Sequence, residues 1–341
     1  MRRDVAGQGA PRTAFVMDAE NLPTLFSTAD VDTLRSSVKL LAEEPITNFT
    51  HAANAAILAD VELLVTGWGA PVIDAAALAM MPRLRTIVHS AGTVKTFLTD
   101  AVFERGIQVS SSAEANAVPV AEFTFAAIVM GLKRASRFIH QYKHLHVKRM
   151  AHGIPAIGTN GVTIGLVGAS RVGRRVITLL GAMDVDIVVY DPYLSELEAV
   201  SLGVRLVDLD TLCRESAVVS LHAPDIAATR NMIGAAQLAA MRDGTVIINT
   251  ARGALIDAAA LRRELVSGRL DAYLDVTDPE PLPADSVLFT LPNVVITPHI
   301  AGAMGNEVHR LGSNAVTEVQ RLIEGLPLAY PVFAQDLARI A

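Results

Sequence analysis

Three segments of the chain each carry an ionisable side chain just after a short β-branched run. They are Ile248-Asn249-Thr250-Ala251-Arg252-Gly253, Leu274-Asp275-Val276-Thr277-Asp278-Pro279-Glu280-Pro281 and Thr297-Pro298-His299-Ile300-Ala301-Gly302. In an open α/β sheet the C-terminal ends of the strands face the ligand crevice. An arginine, a carboxylate and a histidine converging there suit the reduction of a carbonyl that sits beside a carboxylate. Arg252 would clamp the anionic substrate and polarise its carbonyl. His299 would supply the proton, while a carboxylate orients the imidazole and stabilises its protonated form. Taken singly, each residue also has an ordinary structural reading, as a strand cap, a loop acid and a loop histidine.

A redox cofactor is indicated earlier in the chain. The run Val162-Thr163-Ile164-Gly165-Leu166-Val167 leads into Gly168-Ala169-Ser170-Arg171-Val172-Gly173 and then a helical pattern, Arg174–Leu180. The dinucleotide fingerprint asks for G-x-G-x-x-G at a strand-to-helix turn, and here Ser170 stands at the middle glycine. Gly168 suits the tight turn and Gly173 the close packing of helix on strand. The backbone amides of Ser170, Arg171 and Val172 open the helix where a pyrophosphate would rest. Ser170 is small enough for close approach, and its hydroxyl can donate. Asp191 closes the next strand, Ile187-Val188-Val189-Tyr190, about 20 residues after the first glycine, as a ribose-binding acid should. A carboxylate there repels a 2′-phosphate, and no arginine follows in Pro192-Tyr193. NAD is therefore expected in preference to NADP.

The elements that must position these groups alternate along the whole chain. In the first third the strand-like runs are Thr13–Met17, Val61–Thr66, Leu84–His89 and Ile107–Ser110, separated by helical stretches such as Asp30–Leu41, Pro71–Ala79 and Leu98–Glu104. The middle adds six stronger runs: Val162–Val167, Val185–Tyr190, Ala217–His222, Thr245–Asn249, Ala272–Val276 and Val294–Thr297. Strands alternating with helices imply parallel sheets covered on both faces, and six runs suffice for a doubly wound dinucleotide-binding sheet. A long helical pattern from about Val118 to Lys143 joins the two regions, and another, Met304 to Glu324, follows the last strand. The expected organisation is a discontinuous one. Residues 1–113 begin a substrate domain, 114–303 form the Rossmann domain, and 304–341 return to complete the first.

Composition narrows the partners. The chain has 341 residues, 51% hydrophobic and 19% charged, with a formal net charge of −6. That apolar content excludes disorder as the main state. No basic run extends beyond Lys148-Arg149 or Arg174-Arg175, so nucleic acid is not an expected partner. The single cysteine, Cys213, excludes an internal disulfide framework and a Cys-rich zinc site, and it reads as a core thiol. His140, His144 and His146 have no carboxylate or cysteine at ligand spacing and read as a polar helix end, so no metal is expected. Met1-Arg2-Arg3 is followed by Asp4-Val5-Ala6-Gly7-Gln8-Gly9 where a signal peptide would need an apolar run. The apolar stretch Phe123–Leu132 is too short to span a bilayer. A cytoplasmic location with no membrane partner is expected.

With these motifs in this order, the chain resembles the D-isomer-specific 2-hydroxyacid dehydrogenase family over most of its length. Further matches are Ala115-Asn116-Ala117-Val118-Pro119-Val120-Ala121-Glu122, Leu221-His222-Ala223-Pro224 with Thr229-Arg230 behind it, and Asn249 to Asp257. The resemblance implies a flavodoxin-like substrate domain, a Rossmann cofactor domain, an active site in the cleft between them, and a homodimer. It implies that Arg252 binds substrate, that Glu280 pairs with the catalytic His299, and that Asp275 lies near the nicotinamide ring. His222, Pro224, Thr229, Thr250, Ala251 and Val120 fall on cofactor-lining positions. The implied reaction interconverts a 2-keto acid and a D-2-hydroxy acid. Other readings compatible with the same residues are phosphite oxidation by NAD and an NAD(H)-sensing, corepressor-like interaction protein.

One region departs from the family pattern. The loop that often reads G-x-G-x-D, whose amides hold the substrate carboxylate, is here Ser90-Ala91-Gly92-Thr93-Val94-Lys95. It lacks the second glycine and the aspartate. Ala91, Gly92 and Thr93 remain the expected substrate contacts through their backbone. Lys95 reads either as a second anion contact or as a solvated lysine. Trp68, in Thr66-Gly67-Trp68-Gly69 at a strand end, either walls the substrate pocket or packs beneath the loop.

Overall fold

The structure is a computed structural model that describes residues 10–146 and 158–337. The N-terminal stretch Met1–Gly9, the Lys148-Arg149 pair and the last residues of the return segment lie outside the described residues. Two compact units are present, one within Met1–Asn116 and Ala303–Ile340, the other within Ala117–Gly302. The first change-over falls inside the helix Ala113–Leu132, because Ala115 is buried in the core of the first unit.

The first unit is built on five parallel strands: β1 (Arg12–Val16), β2 (Lys39–Leu40), β3 (Leu63–Thr66), β4 (Thr86–His89) and β5 (Gln108–Ser111). Their order, β2-β1-β3-β4-β5, is the flavodoxin-like winding. β3 and β4 are buried at every position, as parallel strands covered on both faces must be. The helix expected over Asp30–Leu41 ends early, spanning Thr28–Ser37 with a Ser27–Asp30 capping box. Lys39 and Leu40 instead pair with Arg12 and Thr13. The open edge of β1 offers backbone partners there that a local helical pattern does not reveal.

The return helix, Val308–Ile323, completes this unit. It buries Val308, Leu311, Ala315, Val316 and Val319 among Phe15, Met17, Leu25, Phe26 and Val65. Each of the valine and leucine side chains contributes about 1.5–3 kcal/mol relative to exposure. A Cβ at Gly312 would lie 2.0 Å from the Leu25 carbonyl oxygen, so only glycine permits this approach.

The second unit has seven parallel strands: β6 (Val162–Val167), β7 (Val185–Tyr190), β8 (Arg205–Leu206), β9 (Val218–Leu221), β10 (Val246–Asn249), β11 (Asp271–Leu274) and β12 (Val294–Ile296). The order β12-β11-β10-β9-β6-β7-β8 is the doubly wound Rossmann arrangement with one further strand. β8, absent from the six expected runs, is a two-residue edge pairing with Val188 and Val189, too short to leave a period in the sequence.

The pattern expected as one helix over Val118–Lys143 is two helices, Ala113–Leu132 and Ala135–Leu145. They are separated at Arg134, whose φ of 53° is left-handed. Arg134 Nη1 donates to Asp271 Oδ2 at 3.1 Å, and Arg137 Nε donates to Oδ1 at 2.8 Å. The break therefore serves a buried ion pair that local propensity does not register. The first of the two helices also corrects the expectation that no stretch here could span a bilayer. Its 20 residues are long and apolar enough by length and composition. Ala121, Ala127, Ile128 and Leu132 nonetheless pack on Ile164, Leu166, Val246 and Ile248, as in a core helix.

Candidate active site

β10, β11 and β12 are neighbours, and Arg252, Glu280 and His299 all follow their C-terminal ends. Asn249, the last residue of β10, sets the Arg252 loop. Its Oδ1 accepts the Ala251 N–H at 3.1 Å, and its Nδ2 donates to the Arg252 carbonyl at 2.8 Å. Gly253 lets this loop abut the next one, since a Cβ there would stand 2.1 Å from the Thr277 carbonyl oxygen. Arg252 Nη1 donates to the Ala251 carbonyl at 2.7 Å, and the side chain is half-buried.

His299 Nδ1 and Glu280 Oε1 are 2.7 Å apart, with both side chains about half exposed. A carboxylate at Nδ1 places the proton on that nitrogen and turns Nε2 toward a reacting group. His299 has φ 56°, a left-handed conformation rare for a non-glycine residue, which surrounding bonds must hold. Asp275 supplies several of them. Its carbonyl accepts the His299 N–H at 2.9 Å, Oδ1 accepts from Thr297 Oγ1 at 2.6 Å and Ile300 N at 2.8 Å, and Oδ2 accepts Ala301 N at 2.8 Å. Asp275, implied by the resemblance to lie near a nicotinamide ring, thus orders the histidine loop from a buried position.

The glycine turn after β6 has the features a pyrophosphate needs. Gly168 has φ 104°, and a Cβ there would press on His222 and Ala223 at 3.0 Å; at Gly173 it would be 2.2 Å from the Gly168 carbonyl oxygen. Ser170 caps the helix Arg171–Leu180, its Oγ accepting Gly173 N–H at 3.3 Å. That leaves the hydroxyl proton and the first-turn amides facing a site suited to an anion. Arg171 is exposed, and Val172 is half-buried at the same turn. Asp191 Oδ2 accepts Ala169 N–H and Oδ1 accepts Tyr193 N–H, both at 2.8 Å, so the acid also ties the glycine loop to the end of β7. These residues fit a bound dinucleotide.

Other expected cofactor-lining residues frame this edge. His222 is buried, with Nε2 2.9 Å from Ser220 Oγ, and burial pushes its pKa down to about 3, so the ring is neutral. Thr229 Oγ1 donates to the Pro224 carbonyl at 2.5 Å and accepts Ile226 N–H at 3.0 Å, which closes the loop after β9. Thr250 Oγ1 meets Thr124 Oγ1 at 2.7 Å, one helical turn beyond Val120, whose carbonyl accepts from Thr124. Ala251 is half-buried. Cys213 is buried, and desolvation pushes its thiol up to about 12, far from an activated nucleophile.

The expected substrate residues belong to the other unit. Trp68 is 41% exposed, and its carbonyl is held by Asp18 N–H at 3.0 Å and Asn21 Nδ2 at 2.9 Å. Ala91 is buried, Gly92 and Thr93 are half-buried, and Lys95 is exposed. Sequence reasoning missed Asn249 and Thr297 as supports of these loops. Their signal was a polar residue at the end of an apolar run. Among the described residues, no cluster of three or more potential metal ligands occurs.

The comparisons with known proteins decide the family. The family model described as "D-isomer specific 2-hydroxyacid dehydrogenase, NAD binding domain" matches residues 125–301. The chain belongs to the D-isomer specific 2-hydroxyacid dehydrogenase family. It is 32% identical to a D-3-phosphoglycerate dehydrogenase of Archaeoglobus fulgidus over 75% of this chain and 48% of that protein. It is 34% identical to a glyoxylate reductase of Korarchaeum cryptofilum over 68% of this chain and 70% of the relative. The chain thus spans about half the length of the phosphoglycerate dehydrogenases it matches. Among solved structures, a phosphoglycerate oxidoreductase from Rhizobium etli superposes with a TM-score of 0.80 at 25% identity, covering 95% of this chain and 98% of that one. The matched span of this dehydrogenase family includes the glycine turn, Arg252, Glu280 and His299.

Proposed function

We propose that the protein is an NAD-dependent oxidoreductase interconverting a 2-keto acid and a D-2-hydroxy acid. The observation that carries this reading is the 2.7 Å His299–Glu280 pair, set beside Arg252 on adjacent strand ends of a dinucleotide-binding sheet. Arg252 holds the substrate carboxylate and polarises the neighbouring carbonyl. His299, protonated and steadied through Nδ1 by Glu280, delivers the Nε2 proton to the carbonyl oxygen. NADH, when bound, supplies the hydride that the carbonyl carbon receives. In the oxidative direction His299 takes the hydroxyl proton, and Glu280 stabilises the imidazolium that forms. Substrate contacts from Trp68, Ala91, Gly92, Thr93 and Lys95 belong to the same proposal.

Asp191 supports NAD over NADP, because a carboxylate at the end of β7 repels a 2′-phosphate. Exposed Ile139, Tyr142 and Leu145 on the helix Ala135–Leu145 support a homodimer, checked by sedimentation. The deciding experiment follows NADH and NADPH oxidation with glyoxylate, hydroxypyruvate, pyruvate and phenylpyruvate, and NAD⁺ reduction with phosphite. Turnover of a keto acid with NADH ahead of NADPH is expected. Tight NADH binding without turnover of any keto acid overturns the reading, in favour of phosphite oxidation if phosphite reacts and of a sensor if it does not.

A further inference from the structure

The helix Ala113–Leu132 carries a buried hydroxyl that the proposed chemistry leaves unused. Thr124 is fully buried, and Thr250, the first residue after β10, is buried beside it in the same unit. Thr124 Oγ1 donates to the Val120 carbonyl at 2.7 Å, one turn back in its own helix. The same oxygen lies 2.7 Å from Thr250 Oγ1. A hydroxyl has one proton, and that of Thr124 is committed to Val120. The proton between the two threonines therefore comes from Thr250. The relay runs one way, from Thr250 to Thr124 to the Val120 carbonyl, and it ends inside the helix.

This direction decides what Thr250 can offer. Its hydroxyl proton is spent, so Oγ1 keeps only lone pairs and acts as an acceptor. A hydroxyl that donates along such a chain is polarised and accepts more strongly. Helical threonines can bond the carbonyl four residues back. Here that bond sets the polarity of a second threonine, 126 residues away in sequence.

The sheet places Thr250 with respect to a dinucleotide. The glycine turn follows β6 and Asp191 follows β7, whereas β9 and β10 lie on the other side of β6. A dinucleotide with its pyrophosphate on the β6 turn and its adenosine ribose on Asp191 would reach β10 with its nicotinamide nucleoside. That nucleoside brings hydrogen-bond donors, a carboxamide N–H and ribose hydroxyls.

We infer that Thr124 is a positioning residue for the cofactor, holding the Thr250 hydroxyl as an acceptor for a donor on the nicotinamide nucleoside. The inference rests on the NAD reading above and is independent of the keto acid reaction.

The test is NADH affinity, read by fluorescence titration without substrate, in Thr124→Val, Thr124→Ser, Thr250→Val and the double valine variant. T124V keeps the side-chain shape and releases the Thr250 proton, so the NADH Kd is expected to rise about tenfold, the size of one hydrogen bond. T124S keeps the hydroxyl and should stay within about twofold of the wild type. T250V should lose about as much as T124V, and the double variant no more than either, because both act through one bond. Should T124V fail to fold, Thr124→Ala takes its place in the same cycle, with the same expectations. A tie that merely fastened helix to sheet would lower Tm in T124V and leave Kd alone, and that result overturns the inference. Losses that add in the double variant overturn it as well, and so does an unchanged Kd in T250V.

The reduced 3-acetylpyridine analogue, with a methyl ketone in place of the carboxamide, identifies the donor. Weakening of NADH but not of the analogue by T250V supports the inference with the carboxamide N–H as donor. Equal weakening of both supports it with a ribose hydroxyl. A wild type that binds no NADH overturns the NAD reading and this inference with it, a failure seen before any variant is compared.

Discussion

Glu280 and His299 share one hydrogen bond, and it divides their work. Through Oε1, Glu280 fixes the tautomer and the ring plane at 2.7 Å, and in the proposed reaction His299 carries the proton to the substrate oxygen. Removing the acid/base group should therefore cost more than removing its orienter. His299→Gln is expected to lower kcat by about 10²–10⁴-fold, and Glu280→Gln by less, with NADH affinity unchanged in both. Steady-state rates with any accepted keto acid, alongside NADH fluorescence titration, check this. Equal losses would mean that the pair acts as one unit. At this scale the sequence singled out Arg252, Glu280 and His299 by residue type, and the structure sets them after neighbouring strand ends with Glu280 on His299. The sequence was silent on Asp275 as the organiser of the histidine loop, because that work is done through backbone amides of residues 299–301 that any sequence possesses.

The elements hold these side chains through close approaches and one buried charge cluster. Gly173 lets the helix Arg171–Leu180 seat against the Gly168 turn, where a Cβ would be 2.2 Å from a carbonyl oxygen. Gly173→Ala should force that turn open, destabilising the protein by about 1–3 kcal/mol and weakening NADH binding. Denaturant midpoints and cofactor titration measure the two effects. Asp271, 1% exposed at the start of β11, joins Arg134 and Arg137 to the sheet. Asp271→Asn leaves the Arg134 guanidinium buried without its counter-charge, and a loss of about 3–5 kcal/mol is expected in urea denaturation. The helix break at Arg134 was not visible in the pattern Val118–Lys143, since its cause lies far away in sequence on β11. The two-residue strands β2 and β8 were missed for a related reason. They exist because an edge of β1 or β7 offers backbone partners, and not because Lys39-Leu40 or Arg205-Leu206 have strand character.

For the molecule as a whole, two buried neutral histidines, one in each unit, contribute to acid sensitivity. Burial pushes His89 and His222 down to about 3 from an ordinary 6.5. Between those values the unfolded chain binds a proton at each that the folded chain refuses. Stability is thus complete above about pH 6.5 and falls as pH drops toward 3, by about 1.4 kcal/mol per pH unit for each histidine. Thermal melts from pH 7 to pH 4 should show this slope, and His222→Asn should flatten it in the unit it occupies. The same two-unit organisation marks the limit of what sequence alone could determine. Local periodicity and glycine spacing determined the α/β class, the placement of β6 and β7 and the strand–glycine turn–helix of the second unit, because those signals lie within a few consecutive residues. Tertiary structure decided which strand ends became neighbours, and so brought Glu280 to His299. It also decided where the helix Ala113–Leu132 stops, with Asp271 holding Arg134 and Arg137 at the break, and that Asp275 orders the histidine loop. Those outcomes depend on hydrogen bonds and charges that meet only after distant segments have packed, and no local pattern encodes the meeting.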